Sequence, residues 1–143
     1  MDAEIRQAKR EEIPQIVMIY NLMWAERGTP LDTKIGENIY EQMRGEGKAL
    51  YVVVADGRVV GAFMLLLQHG DPSRCIVENV AVNPKYQRRG LGTRIIDFAT
   101  ERGRDARCRE IVVSSGERRG GSSGFYESLG FERRGYSFVK TID

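Results

Sequence analysis

The 143-residue chain reads as one α+β domain, residues 1–143, built on a central mixed, mostly antiparallel sheet flanked by about four helices. Three observations predict this. Valine- and tyrosine-rich runs between 50 and 82 are broken by turn signals, the first being Asp56-Gly57, a strong two-residue hairpin signal. Apolar residues recur at helical spacing on either side of that region. A strand, a helix and a further strand follow one another between 74 and 115, and such a crossover joins parallel strands.

An opening strand is expected at 4–8. Ile13, Ile16, Val17, Tyr20, Met23 and Trp24 then share a helical stripe, with Pro14 in the first turn, where its missing N–H costs nothing. A second helix over 34–44 puts Ile35, Ile39 and Met43 on one stripe, and Gly45 and Gly47 end it. Residues 50–55 and 58–68 are the arms of the Asp56-Gly57 hairpin. His69-Gly70-Asp71-Pro72 turns the chain into a third strand, 74–82, completing an antiparallel meander. After Asn83-Pro84, residues 90–106 carry Leu91, Ile95, Phe98 and Ala99 at helical spacing. A β-branched strand over 110–115 should pair parallel with 74–82. A short helix at 122–129 ends at Gly130, suited to a left-handed cap, and 131–134 with 136–142 make a last hairpin about Gly135.

Composition narrows the chemistry. A hydrophobic content of 41% and a charged content of 29% describe an ordinary globular chain, long enough to bury a core. A zinc-protease helix needs two histidines, and a Ser-His-Asp triad would have to use His69, the one histidine, which sits at a turn. No usual ligand spacing joins His69, Cys75 and Cys108, so no metal is expected. The spacing of the cysteines, and an N-terminus with neither a basic nor an apolar segment, predict a cytoplasmic protein with reduced thiols. The longest apolar run, 62–67, is far short of the ~20 residues of a membrane span.

The formal charge of +2 is an average. Between Lys85 and Arg109 eight basic residues face three acids, a local +5 that leaves −3 for the remainder. Such a block asks for an anionic partner. Its centre is Gln87-Arg88-Arg89-Gly90-Leu91-Gly92-Thr93, between a strand and a helix. Glycines admit a ligand close to backbone N–H groups, and the helix N-terminus adds unpaired donors and partial positive charge, which together suit a phosphate. A Walker loop is excluded by the missing Gly-Lys-Ser/Thr ending. A dinucleotide fingerprint needs a small third residue where Ile95 stands, and a tight turn where Asn83 to Arg89 intervene. Glu110, 20 residues beyond Gly90, is then a coincidence. The third reading is a coenzyme A pyrophosphate.

Gln87, Gly90 and Gly92 match the signature loop Gln/Arg-x-x-Gly-x-Gly/Ala of the GNAT acetyltransferase superfamily, which the chain resembles. The strand Val77-Glu78-Asn79-Val80-Ala81-Val82, with Asn83-Pro84, looks like that family's usual approach to the loop. Phe125-Tyr126-Glu127-Ser128-Leu129-Gly130-Phe131 resembles its Phe-Tyr-x-x-x-Gly-Phe segment. The clear resemblance covers 77–131. It implies an acetyltransferase-like fold, with acetyl-CoA as co-substrate and Gln87, Arg88, Arg89, Gly90, Leu91, Gly92 and Thr93 about its pyrophosphate. It also implies a pantetheine arm lying beside Val80, Ala81 and Val82, and frequent homodimers. Arg119 stands where many members have an asparagine, so a pantetheine contact from that position is not carried over.

Direct acetyl transfer to an amine needs a neutral amine, a polarised thioester carbonyl and a proton for the departing thiolate. A backbone N–H of Val80 or Ala81 suits the carbonyl oxygen. Tyr126 is the candidate general acid, since a phenol near pKa ~10 can protonate a thiolate within reach. Glu78 is the candidate base. Strand alternation places it among Ile76, Val80 and Val82, where burial would raise its pKa. Tyr20 and Trp24 are expected in the core, and Arg102, Arg104, Arg107 and Arg109 on a solvated helix face.

The acceptor site falls to the segments least constrained by motifs, 24–48 and 115–121. Five acids against three bases between Glu26 and Glu46 suit a cationic small molecule: an amino sugar, an aminoglycoside, a polyamine or an amino-acid-like amine. A protein or peptide amine is an alternative acceptor. Other readings are a non-catalytic acyl-CoA sensor and a nucleic-acid binder using the arginines. The last lacks any nucleic-acid motif, so no nucleic acid and no membrane partner is expected.

Overall fold

The computed structural model describes residues 2–23, 30–114, 122–134 and 137–142. Trp24, Arg119, Gly135 and Tyr136 lie outside them, and so do, of the segments expected to receive the acceptor, residues 24–29 and all of 115–121. The described strands are β1 (Ala3–Gln7), β2 (Lys48–Ala55), β3 (Arg58–Gln68), β4 (Arg74–Val82), β5 (Glu110–Ser114), β6 (Glu132–Arg134) and β7 (Ser137–Thr141). The helices are α1 (Ile13–Met23), α2 (Thr33–Gln42), α3 (Leu91–Asp105) and α4 (Ser122–Ser128). One seven-stranded sheet runs β1-β2-β3-β4-β5-β7-β6. Only the β4–β5 pair is parallel, as the intervening α3 requires. The expected mixed, mostly antiparallel sheet and its four helices are therefore present. No described helix is long and apolar enough to cross a membrane.

Local chemistry explains the elements. Asp56 and Gly57 both take positive φ, 53° and 72°, the turn whose twist matches two paired strands. Asp32 caps α2 by accepting the Ile35 N–H at 2.8 Å. Gly130, at φ +90°, closes the turn after α4. Alternation along β2 and β3 divides the core between the two faces of the sheet. Tyr51, Val53, Phe63, Val77 and Val113 pack under α3 with Ile95 and Ala99. Val52, Ala62, Met64 and Ala81 pack under α1 with Ile16, Ile19 and Tyr20. Phe63, fully buried, stacks on Tyr51 at 5.3 Å and meets Phe98 edge-on at 6.0 Å. Burying such a ring contributes ~2–3 kcal/mol, and each aromatic pair ~1 kcal/mol more.

Of the stripe expected on the second helix, Ile39 and Met43 pack inward, and Ile35 does not. Ile35 is 39% exposed, and Gly36 is the buried position facing α1. A Cβ there would lie 2.6 Å from Val17 Cγ2 and 2.8 Å from Ile13 Cγ2. The two helices approach where one side chain is missing, so the contact is carried by an atom that periodicity does not count.

Glu12 ties β1 to the start of α1. The Arg6 guanidinium donates to both its carboxylate oxygens, at 2.9 and 2.6 Å, and Lys9 N donates to one at 2.8 Å. Glu12 is 8% exposed. The hydrogen bond from Arg6, with further help from the Lys9 backbone, holds its carboxyl below the ordinary glutamate value of 4.5 despite the burial. A depressed folded-state pKa means that this stabilisation is present above the unfolded value and lost as pH falls through the folded one. Glu12→Gln should cost about 2 kcal/mol at pH 7, and the gap from wild type should narrow as pH falls below 4.5. Urea unfolding between neutral and acid pH measures both.

Candidate functional site

β4 is regular as far as Glu78 and then changes register. Met64 of β3 faces Glu78 and Ala62 faces Ala81, so Phe63 alone opposes the two residues Asn79 and Val80. Asn79 is the extra residue of a β-bulge, at φ +53°, a left-handed conformation that asparagine tolerates better than most side chains. One added residue exchanges the faces of all that follow. Before the bulge Cys75 and Val77 point to the α3 face. After it Val80 and Val82 do so, while Ala81 points to the α1 face.

This corrects the environment expected for Glu78. Glu78 does not share a face with Val80 and Val82. It lies half-buried on the α1 side of the sheet, opposite Met64. The bulge also marks where β4 leaves β5. Their parallel ladder runs from Arg74–Glu110 to Val77–Val113, and among the described residues it goes no further, although β4 continues five residues to Val82. Beyond Val77 the described part of β4 is paired with β3 alone, and the carboxyl ends of parallel strands are the usual place for a ligand in such sheets.

The loop beyond β4 is braced from both sides. Asn83 caps a short 3₁₀ turn by accepting the Lys85 N–H at 3.0 Å. The Gln87 amide donates to the Val82 carbonyl at 3.0 Å and approaches Met23 Sδ at 3.3 Å, so this side chain fastens the loop to β4 and α1. The Arg89 guanidinium lies over the Tyr86 ring, 5.1 Å from its centre. Arg88 is exposed and left-handed, at φ +61°. Gly90 precedes α3 at φ +82°, and no side chain caps the helix there. A Cβ on Gly90 would meet nothing within 4 Å, so this glycine serves its backbone conformation and faces open space. The first N–H groups of α3 therefore have no side-chain cap.

Two loop positions take on a different character. Gly92 makes room for protein, because a Cβ would lie 3.2 Å from Phe125 Cζ. Leu91 is 2% exposed and its side chain belongs to the core, which leaves its backbone to face a ligand. Thr93 is half-buried in the first turn of α3. Tyr126, one turn into α4, is 8% exposed. Its ring lies 5.2 Å from Phe125 and 5.9 Å from Phe131, aromatic packing within α4 and the turn after it, and it is Phe125 that lies against the start of α3 at Gly92.

Most of the basic block is satisfied locally. Arg94 donates to the Ala3 carbonyl at 2.6 Å, Arg104 pairs with Glu101 at 2.7 Å, and Arg109 approaches Asp71 at 3.9 Å. Arg102 covers the Phe98 ring at 4.6 Å. Glu110 pairs with Arg74 at 3.1 Å, a structural partner for the acid that a dinucleotide reading would have used. His69 is exposed at its turn. Among the described residues no three His, Cys, Asp or Glu side chains gather as metal ligands do.

Sequence reasoning did not foresee one contact at the bulge. Tyr20, from α1, donates its hydroxyl to the Asn79 carbonyl at 2.7 Å. Burial pushes the Tyr20 phenol well above its ordinary range, so it remains a donor. Asparagine amid β-branched residues was the available signal, because asparagine is depleted in strands and enriched where φ is positive.

Residues 16–131 match the model of the Acetyltransferase (GNAT) family. The glucosamine 6-phosphate N-acetyltransferase of Trypanosoma brucei brucei is 35% identical over 79 residues, 52% of this chain and 52% of that protein. The chain spans about half the length of the curated relatives it matches. Among solved structures, an acetyltransferase from Trypanosoma brucei superposes with TM-score 0.76 at 27% identity, covering 93% of this chain and 94% of that one. A transcriptional regulator from Bacillus halodurans C-125 superposes with TM-score 0.84 at 20% identity, covering 94% and 97%, a likeness of fold alone.

The bulge is testable by itself. Asn79→Val should destabilise the protein by about 1–2 kcal/mol, the cost of a branched side chain in the left-handed region, whereas Asn79→Gly should be near neutral. Chemical denaturation separates the two.

Proposed function

The chain belongs to the Acetyltransferase (GNAT) family, and from that premise we propose that it transfers the acetyl group of acetyl-CoA directly to a primary amine of a small molecule. The observation that carries this reading is the pairing of two features: β4 parts from β5 after Val77, and the next helix begins beside it with an uncapped N-terminus at Gly90. The N–H groups at the start of α3, with Arg88 nearby, suit a pyrophosphate. On the side away from β3, the backbone of Val80 to Val82 has no ladder partner among the described residues, which suits an extended amide-bearing arm that hydrogen-bonds to it as an added strand would.

Acetyl-CoA supplies an activated carbonyl. The amine nitrogen bonds to that carbon, the carbon–sulfur bond breaks, one proton leaves the nitrogen and one reaches the sulfur. In this proposal Glu78 takes the first proton, directly or through water, from the α1 side of β4. Tyr126 gives the second from α4, and the Val80 N–H stabilises charge on the carbonyl oxygen. The site asks for no metal. An amino sugar is the acceptor class to try first, because a relative named for acetylating glucosamine 6-phosphate is 35% identical over the matched region; aminoglycosides, polyamines and amino-acid-like amines complete the panel.

Acetyl-CoA at a hundredfold excess over Kd should raise Tm by about 5–10 °C, while stabilisation by NAD or ATP in its place would sink the proposal. Thiol release across the amine panel then identifies the acceptor. Tyr126→Phe should lower turnover at least about tenfold with acetyl-CoA affinity little changed, and undiminished turnover removes Tyr126 from the reaction. Glu78→Gln should lose the acidic limb of the pH–rate profile; a retained limb assigns the base elsewhere.

A further inference from the structure

The hydrogen bond from Tyr20 to the bulge reaches further than fastening α1 to the sheet. Tyr20 is 4% exposed and packed on the α1 face with Met43, Met64 and Ala81. Its hydroxyl meets the carbonyl of Asn79, the residue that breaks the alternation of β4. The peptide linking Asn79 to Val80 is trans, and in a planar trans peptide the C=O and the following N–H point in opposite directions. A carbonyl drawn towards α1 therefore turns the Val80 N–H away from α1, towards the α3 face, where the Val80 side chain also packs.

We propose that Tyr20 is a positioning residue that sets the direction of the Val80 N–H where β4 parts from β5. The inference rests on the acetyl-transfer reading of that place, and what it adds is control of the donor by a side chain on α1. The bulge needs such a fastening. A peptide beside a left-handed residue is free of the regular ladder on both sides, and a rotation that reversed its carbonyl would also reverse its N–H. Next to Tyr20, the Asn21 side chain accepts from Leu31 N at 2.8 Å and donates to Leu31 O at 2.9 Å. The same turn of α1 that holds the bulge is thereby anchored to the segment leading into α2.

The test reads the peptide and the reaction separately. In ¹⁵N-labelled protein without ligand, Tyr20→Phe should shift the Val80 amide resonance and speed its hydrogen exchange at least about tenfold, while amides of β2 and β7 stay in place. With acetyl-CoA and an accepted amine, kcat should fall about tenfold while KM for acetyl-CoA stays within about twofold, the signature of a donor misaimed in the transition state. Ile19→Val, which loosens packing on the same face, should leave both the Val80 amide and kcat unchanged. An unaltered Val80 amide in Tyr20→Phe overturns the proposal, and so does a loss confined to KM. Ile19→Val reproducing the Tyr20→Phe pattern overturns it as well, reducing the effect to general loosening. If acetyl-CoA leaves the spectrum of the wild-type protein unmoved, the acetyl-transfer reading fails and takes the inference with it; that outcome is read on wild type alone.

Discussion

Asn79 is one residue more than the β3–β4 ladder can pair, and that surplus sets the geometry of everything beyond it. The left-handed turn at this position moves Val80 and Val82 to the α3 face and Ala81 to the α1 face. It leaves Glu78 behind on the opposite side of the sheet from the valines that follow. It also accompanies the departure of β4 from β5, which a regular strand flanked by two continuous ladders would not show. A bulge bends the strand that carries it, and here the bend is fixed by a buried phenol. The proposed acid, base and backbone donor thus come from three directions: α4, the α1 face of β4, and the peptide between Asn79 and Val80.

Electrostatics play a smaller and more local part than the charge count implies. The arginines after Gly90 are largely occupied with carbonyls, neighbouring acids and aromatic rings. Exposed pairs of this kind contribute little to stability. The contacts of Arg102 and Arg104 stay within α3, while Arg94 reaches from α3 to the Ala3 carbonyl of β1. In the proposed reading, attraction for an anion comes from the uncapped start of α3 and the exposed Arg88, so it needs no strong net charge.

Much of this was legible in the sequence, for identifiable reasons. The hairpin at Asp56-Gly57, the limits of β3 and β4, and the crossover through α3 follow from turn chemistry and periodicity, which depend on neighbours along the chain. The parting of β4 from β5 does not. It depends on Asn79 adopting positive φ, and alternation rules assume that no residue does so. For the same reason Glu78 was placed on the wrong face. The α1–α2 contact at Gly36 was not legible, because periodicity scores side chains and Gly36 works by having none. Gly92 was legible as a special position, but its reason differed: the space it leaves belongs to Phe125. The role of Gln87 in bracing the loop could not be seen, because its partners, Val82 and Met23, come together only in the fold.

The order of the sheet has a consequence for how the protein behaves in a crowded solution. Its outer strands are short, β1 with five residues and β6 with three, while β3, the longest at eleven residues, lies inside. A strand margin is where one chain can template aggregation of another, and the hazard grows with the length and hydrophobicity of the margin. Here the apolar run through residues 62–67 is paired on both sides, and the margins offer few backbone groups to a stranger. Colloidal stability is therefore built into the strand order itself, with no need for a highly charged surface.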